Sequence, residues 1–252
     1  MDYPNIVEGR FLSRPNRFIA KVELGGREET VHVKNTGRCR ELLIPGAAVY
    51  MQDWGQEHPG RNTRYDLVTV DKGGMLINMD AQAPNRLFRE WAEGGHFVPG
   101  LTLLRPETTR GDSRFDFYWE AGGDRRGFVE VKGVTLEEDG VVRFPDAPTL
   151  RAVKHLNGLL KAREEGYEAA VCFVVQLAGA DHLEPNDRTH PEFGQALRRA
   201  AEGGVAVLAF SCRVTPDTVT PAEPVPVVLN GRAEGDLDTG DDLPLAERGK
   251  IG

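Results

Sequence analysis

The sequence lacks any long apolar run. No stretch approaches the roughly 18 apolar residues that a membrane-spanning helix needs. The longest run, AAVCFVV at residues 169–175, is typical of a buried strand. The first residues, MDYPNIVEGR, also lack the basic-then-apolar pattern of a secretion signal. The sequence therefore predicts a cytoplasmic protein without a membrane segment.

Cysteine is scarce, with three residues in the whole chain, and none of them forms a CxxC pair. An odd count without metal-ligand spacing excludes a cysteine metal motif and fits a reducing compartment. Cys172 and Cys212 lie in apolar runs and are predicted to be inert core thiols. Cys39 lies between two arginines in GRCRELL, which would lower its pKa, but no partner motif accompanies it.

The chain also lacks an overall positive charge. Its net charge of −8 argues at first against a nucleic-acid partner. The charge is unevenly distributed, however, because residues 10–40 hold eight Arg or Lys against three Glu, while residues 233–247 hold six acidic residues and no basic one. This pattern predicts an acidic, disordered tail over residues 231–252 and a basic N-terminal region, suited to phosphate contacts or to an ordinary soluble surface.

Periodicity divides the rest of the chain into two parts. Five short alternating runs, bounded by Gly and Pro, predict strands over residues 17–24, 30–34, 47–54, 65–71 and 74–80. They predict an OB-like small β-barrel domain over residues 1–82. Residues 83–230 alternate strands with helices, predicted over 85–95, 149–166 and 190–204. We expect a mixed-sheet domain with flanking helices there, and hence an α/β (α+β) fold class.

The run FVEVKGVTL at residues 128–136 predicts a strand with two charged side chains on one face. Side chains alternate along a strand, so Glu130 and Lys132 face one way and the flanking valines the other. A hairpin through AGGDRR would bring the strand SRFDFYWE alongside, and with it Asp116. Two converging carboxylates form a hard oxygen site, which suits Mg²⁺ or Mn²⁺.

Such a cation polarises a phosphoryl oxygen and lowers the pKa of bound water. Lys132 can orient or deprotonate that water, and Glu107, just upstream in LRPETTRG, can complete the metal shell. The pattern Asp-x13-Glu-x-Lys is weak on spacing alone, because a solvated strand face often carries such a pair. The apolar and aromatic flanks of both strands argue against a solvated face.

The helix predicted over residues 149–166 carries Arg151, Lys154 and His155 near its start. Helix N-termini favour phosphate, and Arg and Lys add matching charge, so Arg151 and Lys154 are predicted to hold phosphates. An ordinary polar helix face is the alternative. Gln176 follows a buried strand and either reaches the site or is a satisfied core amide.

The segment HVKNTGRCREL predicts a basic turn in the barrel. In an OB-type barrel such a loop can follow a phosphate backbone, with Phe18 or Tyr50 as a stacking platform. A plain polar loop is the alternative. The remaining predicted nucleic-acid contacts are Lys34, Asn35, Thr36, Gly37, Arg38 and Arg40 in this segment, and Arg114 next to Asp116.

Five runs, in order along the chain, resemble the sugar fermentation stimulation protein A (SfsA) family: VKNTGR, SRFDF, VEVKGVTL, FPDAPTLRAVKHL and the helix–strand pair ending in GVAVLAF. The resemblance implies an N-terminal OB-like domain and a C-terminal PD-(D/E)xK nuclease-like domain, whose signature falls on Asp116, Glu130 and Lys132. It also implies a non-specific DNA-binding protein that is linked to the regulation of sugar metabolism, notably of maltose.

The hypothesis that unites these patterns is a protein that binds DNA, or RNA, and carries a Mg²⁺- or Mn²⁺-dependent site for phosphodiester hydrolysis. Two alternatives stay open. One is a non-catalytic regulator that uses the nuclease fold only to hold DNA. The other is a metal phosphoesterase that acts on a small molecule, against which the basic region argues mildly.

Overall fold

A computed structural model describes residues 1–35, 37–55, 60 and 62–230 of the chain. The N-terminal part forms a sheet of six strands: β1 (Ile6–Asn16), β2 (Ile19–Leu24), β3 (Arg27–Val33), β4 (Ala48–Asp53), β5 (Tyr65–Lys72) and β6 (Met75–Asn78). They pair in the order β3-β2-β1-β4-β5-β6, and β3 also pairs in parallel with β5. This extra pairing closes a ring of five strands, as an OB-type barrel requires.

Strand β1 was not predicted from the sequence. Most of its side chains are exposed or half-buried, and its pairing with β2 is irregular after Phe11, so the apolar alternation is weak. Gly9 shows why the strand still belongs to the barrel. A Cβ at this position would lie 2.6 Å from Val22 Cγ1 and 2.9 Å from Met51 Cε, so only glycine fits where β1 crosses the core.

The second part is built on a six-stranded sheet, whose strands are β7 (Leu101–Arg110), β8 (Ser113–Ala121), β9 (Arg125–Val134), β12 (Glu168–Val175), β14 (Ala206–Val214) and β15 (Val219–Pro224). They pair in the order β15-β14-β12-β9-β8-β7. The central strands β9, β12 and β14 are parallel, and the outer pairings are antiparallel. A small separate sheet contains β10 (Leu136–Glu138), β11 (Val141–Phe144) and β13 (His182–Pro185).

Helices cover both faces of the large sheet. On one face, α1 (Ala83–Trp91) buries Leu87 and Phe88 against Val129 and Val131 of β9. On the other face, α2 (Leu150–Glu164) packs against β8, β9 and β12, and α3 (Pro191–Glu202) packs on α2 and β13, in a core that continues into the barrel. The predicted OB-like barrel followed by a mixed sheet with flanking helices is therefore confirmed.

A buried polar cluster joins the barrel to the large sheet, and we call it the junction network: Tyr3, Lys34, Asn78, Asp80 and Gln176. Asp80 is fully buried, and its carboxylate accepts hydrogen bonds from Lys34 Nζ (2.5 Å) and Tyr3 Oη (3.2 Å). Gln176 directly follows β12, and its amide donates to Asn78 Oδ1 (2.9 Å) and to the Asp80 carbonyl (3.0 Å). Gln176 is thus a satisfied core amide that couples the two parts.

None of the helices in the described part of the chain is long and apolar enough to cross a membrane. The predicted acidic tail over residues 231–252 lies outside the described residues, and so does Thr36 of the basic turn. The predicted domain limits stay predictions.

Candidate functional site

Asp116 and Glu130 lie beside each other on neighbouring strands of the large sheet. Strands β8 and β9 are antiparallel, and the pairing of Phe117 with Val129 places the two carboxylates at the next position along the ladder. Glu130 is 2% exposed, whereas Asp116 is half-buried. The hairpin that the sequence predicts therefore brings two acidic side chains together inside the sheet.

Two donors hold the Asp116 carboxylate. The backbone N–H of Val131 donates to Oδ2 (2.8 Å), and the Asn85 side-chain amide, from helix α1, donates to Oδ1 (3.1 Å). Each oxygen accepts one hydrogen bond from the protein and keeps further acceptor capacity. Asp116 is thus oriented without being fully occupied.

The Glu130 carboxylate is held on one side only. Its Oε1 accepts hydrogen bonds from Lys132 Nζ and from His155 Nδ1. Its Oε2 is buried and has no hydrogen-bond partner among the described residues. A buried anionic oxygen without a partner is costly, so Oε2 marks a place where a cation or a donor from outside the chain belongs.

The two carboxyl groups have opposite pKa shifts. Burial, followed by the negative charge of Glu130, raises the pKa of Asp116 above its ordinary value. Burial also raises the pKa of Glu130, but the His155 hydrogen bond and the Lys132 charge outweigh it and hold the pKa of Glu130 below its ordinary value. The site is therefore electrostatically divided, with one stabilised carboxylate beside one whose ionisation is costly.

Helix α2 delivers His155 to the carboxylates. Thr149 caps the helix, because its Oγ1 accepts a hydrogen bond from the Ala152 N–H (3.2 Å). His155 is buried one turn further on, and Arg151 Nε donates to its Nε2 (3.4 Å). The predicted start of this helix at Thr149 is confirmed.

The other residues predicted for the site in this domain lie at exposed positions. Arg151 and Lys154 are exposed on the first turns of α2, on the helix that also carries His155. Glu107 is 68% exposed at its side chain and forms an ion pair with Arg114 (2.5 Å). The structure thus does not bring Glu107 into contact with Asp116 or Glu130, and its role as a metal ligand stays a prediction.

A single arginine organises the predicted basic turn of the barrel. The Arg14 guanidinium donates to the backbone carbonyls of Arg17, Asn35, Gly37 and Arg38, at 2.6 to 2.8 Å. These carbonyls come from the turn between β1 and β2 and from the segment after β3. Arg14 therefore fixes two loops as one unit, a role that no pattern in the sequence indicates.

The basic turn also contacts the second domain. The backbone N–H of Arg38 donates to Asp146 Oδ2 (3.2 Å), and a Cβ on Gly37 would lie 2.5 Å from the same oxygen. The Arg38 and Arg40 side chains are exposed, whereas Lys34 is already paired with Asp80 in the junction network. Two of the three basic side chains, those of Arg38 and Arg40, are therefore exposed and can face a polyanion.

Two further predictions concern the barrel. Phe18, a predicted stacking platform, is 51% exposed, with the Arg17 guanidinium 5.9 Å from its ring centroid, while Tyr50 is half-buried. The expected low pKa of Cys39 is wrong. Cys39 is buried, and burial, followed by the negative charge of Asp146, raises its pKa to about 12, so the flanking arginines do not activate the thiol.

The site offers a divalent cation only a small number of protein ligands. Within residues 1–35, 37–55, 60 and 62–230, no group of three or more His, Cys, Asp or Glu side chains is arranged to hold a metal. Asp116 and Glu130 still supply two carboxylates and one unsatisfied buried oxygen. Mg²⁺ is commonly bound by one or two carboxylates, with water and substrate phosphates completing its shell, so the pair suffices for this type of site.

Two site residues were not assigned from the sequence. Asn85 and His155 lie 31 residues before Asp116 and 25 residues after Glu130. No spacing rule connects such positions, because only the packing of α1 and α2 on opposite faces brings them to the carboxylates. The one available signal was the polar face of α2 itself, on which His155 follows Arg151 by one turn.

The fold and site define a two-domain protein in which an OB-type barrel is joined to a mixed-sheet domain with a buried acidic–basic cluster. The chain belongs to the SfsA family. Residues 12–79 match the family model described as "SfsA N-terminal OB domain", and residues 82–218 match the one described as "Sugar fermentation stimulation protein RE domain". The resemblance found in the sequence is confirmed.

Named relatives are similar along nearly their whole length. A "Sugar fermentation stimulation protein homolog" from Desulfitobacterium hafniense is 56% identical over 229 residues, which covers 91% of this chain and 99% of the relative. A homolog from Clostridium beijerinckii is 49% identical over 229 residues, which covers 91% of this chain and 100% of the relative. The solved structure of Pyrococcus furiosus SfsA in complex with Ca²⁺ is 26% identical, with a TM-score of 0.80, and covers 90% of this chain and 98% of that one.

Proposed function

We propose that this protein is a DNA-binding protein with a Mg²⁺- or Mn²⁺-dependent site for phosphodiester hydrolysis. The observation that carries the proposal is the group of Asp116, Glu130 and Lys132, in which the buried Glu130 Oε2 has no partner among the described residues. A buried carboxylate oxygen in this state is suited to a cation. RNA is the alternative substrate.

A related structure supports the cation. Pyrococcus furiosus SfsA, 26% identical with a TM-score of 0.80, is described in complex with Ca²⁺. Ca²⁺ and Mg²⁺ are both hard cations that bind oxygen ligands. Asp116 and Glu130 would hold the cation in this chain, which would supply the positive charge that polarises a phosphodiester and acidifies water.

The chain's own residues would position the substrate. Lys132 carries three N–H donors and uses one for Glu130, so the others can hold an attacking water or a phosphate oxygen and stabilise the charge that develops there. Arg151 and Lys154, at the start of α2, would bind neighbouring phosphates. In the barrel, the exposed Arg38 and Arg40 would contact the nucleic-acid backbone.

The test is cleavage of labelled single- and double-stranded DNA and RNA in the presence of Mg²⁺, Mn²⁺ or EDTA. We expect metal-dependent cutting by the wild type and its loss in Lys132→Ala. Lys161→Ala is the matched control, because it removes the same charge from an exposed position on α2. Equal activity in wild type and Lys132→Ala, or cutting in EDTA, would contradict the proposal.

A non-catalytic DNA-binding role is the second candidate. It is favoured by the small number of ligands, because the described part of the chain has no group of three or more His, Cys, Asp or Glu side chains that could hold a metal. On this alternative, DNA binding survives Glu130→Ala, and no metal concentration produces cleavage. A metal phosphoesterase acting on a small molecule would be indicated by binding that is independent of salt.

A link to sugar metabolism, notably to maltose, is proposed from the family alone. The relatives carry the name sugar fermentation stimulation protein homolog. Expression of maltose genes in a strain that lacks this protein, compared with the same strain expressing it, is the direct test. Unchanged expression would contradict the link without affecting the proposed site.

A further inference from the structure

The His155 imidazole connects helix α2 to the Glu130 carboxylate. His155 is 6% exposed, and its Nδ1 contacts Glu130 Oε1, the same oxygen that Lys132 Nζ contacts. Two donors therefore converge on one oxygen of the carboxylate. Neither reaches Oε2, which is buried and has no hydrogen-bond partner within the described residues.

The neighbours of His155 assign the position of its ring proton. Arg151 Nε is a donor only, and it lies 3.4 Å from His155 Nε2, so Nε2 is the acceptor. With Nε2 as the acceptor, Nδ1 carries a ring proton and donates it to Glu130 Oε1. The order of donation runs from Arg151 through His155 to Glu130, and every group in it has a partner of the right kind.

We infer that His155 is a positioning residue that fixes the Glu130 carboxylate with Oε1 turned to the protein and leaves Oε2 available to a divalent cation. The inference rests on the proposed function, because it concerns the same site. His155 itself is given no contact with the substrate or with the cation.

The rigidity of the imidazole is the physical reason. The terminal torsion of a glutamate is broad, so the plane of its carboxylate is poorly defined unless a neighbour fixes it. The Lys132 side chain is flexible and can keep its hydrogen bond to Glu130 as the carboxylate turns. His155 lies on a capped helix packed against the sheet, and its planar ring can satisfy Oε1 from one direction only. Groups that orient a metal-binding carboxylate typically change metal affinity by about 10- to 100-fold.

The test compares two substitutions of similar size that differ in whether they place a hydrogen-bond donor next to Glu130. Asn places its Nδ2 donor where the histidine has Nδ1, whereas Leu places a methyl group there. We would titrate the full-length wild type, His155→Asn, His155→Leu and Glu130→Gln with MnCl2 by calorimetry, and measure thermal unfolding of each without metal. Asn157→Leu, at an exposed position two residues further along α2, is the control.

We expect Mn²⁺ to bind His155→Leu about tenfold more weakly than the wild type, and to bind His155→Asn and Asn157→Leu within about threefold of it. A purely structural role for His155 would lower the unfolding temperature of both His155 variants and leave Mn²⁺ affinity unchanged, which overturns the inference. If His155→Leu does not fold, His155→Ala takes its place, with the same two outcomes.

The same measurements distinguish a failure of the role inferred for His155 from a failure of the proposed metal site. Binding of Mn²⁺ to the wild type, its loss in Glu130→Gln and equal binding by His155→Leu would overturn the role of His155 and leave the proposed metal site intact. A wild type that binds no Mn²⁺ overturns the metal site and the role of His155 with it.

Discussion

The carboxylates of Asp116 and Glu130 lie side by side on antiparallel strands, and the negative charge of Glu130 adds to the effect of burial in raising the pKa of Asp116. The native protein thus binds a proton at Asp116 more readily than the unfolded chain does. Ionised Asp116 is a cost to stability, which the site carries in the absence of a cation.

Asp116→Asn should therefore stabilise the metal-free protein. The charge is removed while an oxygen is kept for the Val131 N–H, and the Asn85 amide can turn to present its own oxygen. We expect the unfolding temperature at neutral pH to rise by about 2–4 °C. A gain of about 1 kcal/mol in the free energy of unfolding gives such a shift for a chain of this size. Asp112→Asn, in the exposed turn between β7 and β8, is the control and should change little.

The sign of the pH dependence follows from the raised pKa of Asp116. Protonated Asp116 stabilises the folded protein, and this stabilisation is fully present below the ordinary Asp pKa of about 3.9. It is lost as the pH rises through the higher pKa that Asp116 has in the folded protein. The advantage of Asp116→Asn is therefore full at neutral pH and closes on acidification. An advantage that stays constant down to pH 3 would contradict this explanation.

Lys72 and Glu137 form an ion pair between the barrel and the second domain. Lys72 Nζ lies 2.5 Å from Glu137 Oε2 and 2.6 Å from the Glu137 carbonyl, and Glu137 is buried. Lys72→Met should destabilise the protein by about 1–3 kcal/mol, because it leaves a buried carboxylate unpaired. Urea unfolding measures the loss, with the exposed Lys161→Met as the control.

The Lys72 effect should fade in acid. Burial raises the pKa of Glu137, but the Lys72 hydrogen bond outweighs it and holds this pKa below the ordinary value. The stabilisation is thus present above the ordinary Glu pKa of about 4.3 and is lost as the pH falls through the lower folded pKa. A difference between wild type and Lys72→Met that persists well below that pKa would indicate a packing effect instead.

Gly133, next to Lys132, should not tolerate a side chain. A Cβ there would lie 2.5 Å from Gln176 Oε1 and 2.7 Å from Pro84 Cγ, and Gln176 is anchored in the junction network. We expect Gly133→Ala to destabilise the protein by about 1–3 kcal/mol. It should also weaken Mn²⁺ binding, because it displaces strand β9, which carries Glu130 and Lys132. Gly122→Ala, in the turn between β8 and β9 with open space around it, should leave both measurements unchanged.

Arg38 should contribute to nucleic-acid binding through charge alone. Its backbone is held by Asp146 and Arg14, while its side chain is exposed. Arg38→Ala should weaken DNA binding and lower the slope of log K against log salt by about one. Fluorescence anisotropy over a series of salt concentrations measures the slope. Arg199→Ala, on an exposed position of α3, removes the same charge and should not change it.

Much of the fold follows from local patterns. The strands that were predicted from alternation or from apolar runs, such as β5, β9 and β12, have both faces or one whole face buried, and burial is what produces the pattern. Strands β1 and β7 were missed because most of their side chains are exposed or half-buried. β7 also carries Pro106 at the edge of the sheet, where a missing N–H is tolerated.

For the site, periodicity was enough to place Glu130 and Lys132 on one face of a strand, since side chains alternate with a period of two wherever a strand forms. A short hairpin was enough to bring Asp116 to them. Local sequence therefore determined the residues of the acidic–basic group and their common face.

The tertiary structure decided how that group is completed. Only the packing of α1 and α2 on opposite faces of the sheet brings Asn85 to Asp116 and His155 to Glu130. Only the closure of the barrel pairs Lys34 with Asp80. Local geometry depends on neighbours in the chain, whereas pairing between distant groups depends on which surfaces are buried together, and no short pattern in the sequence encodes that choice.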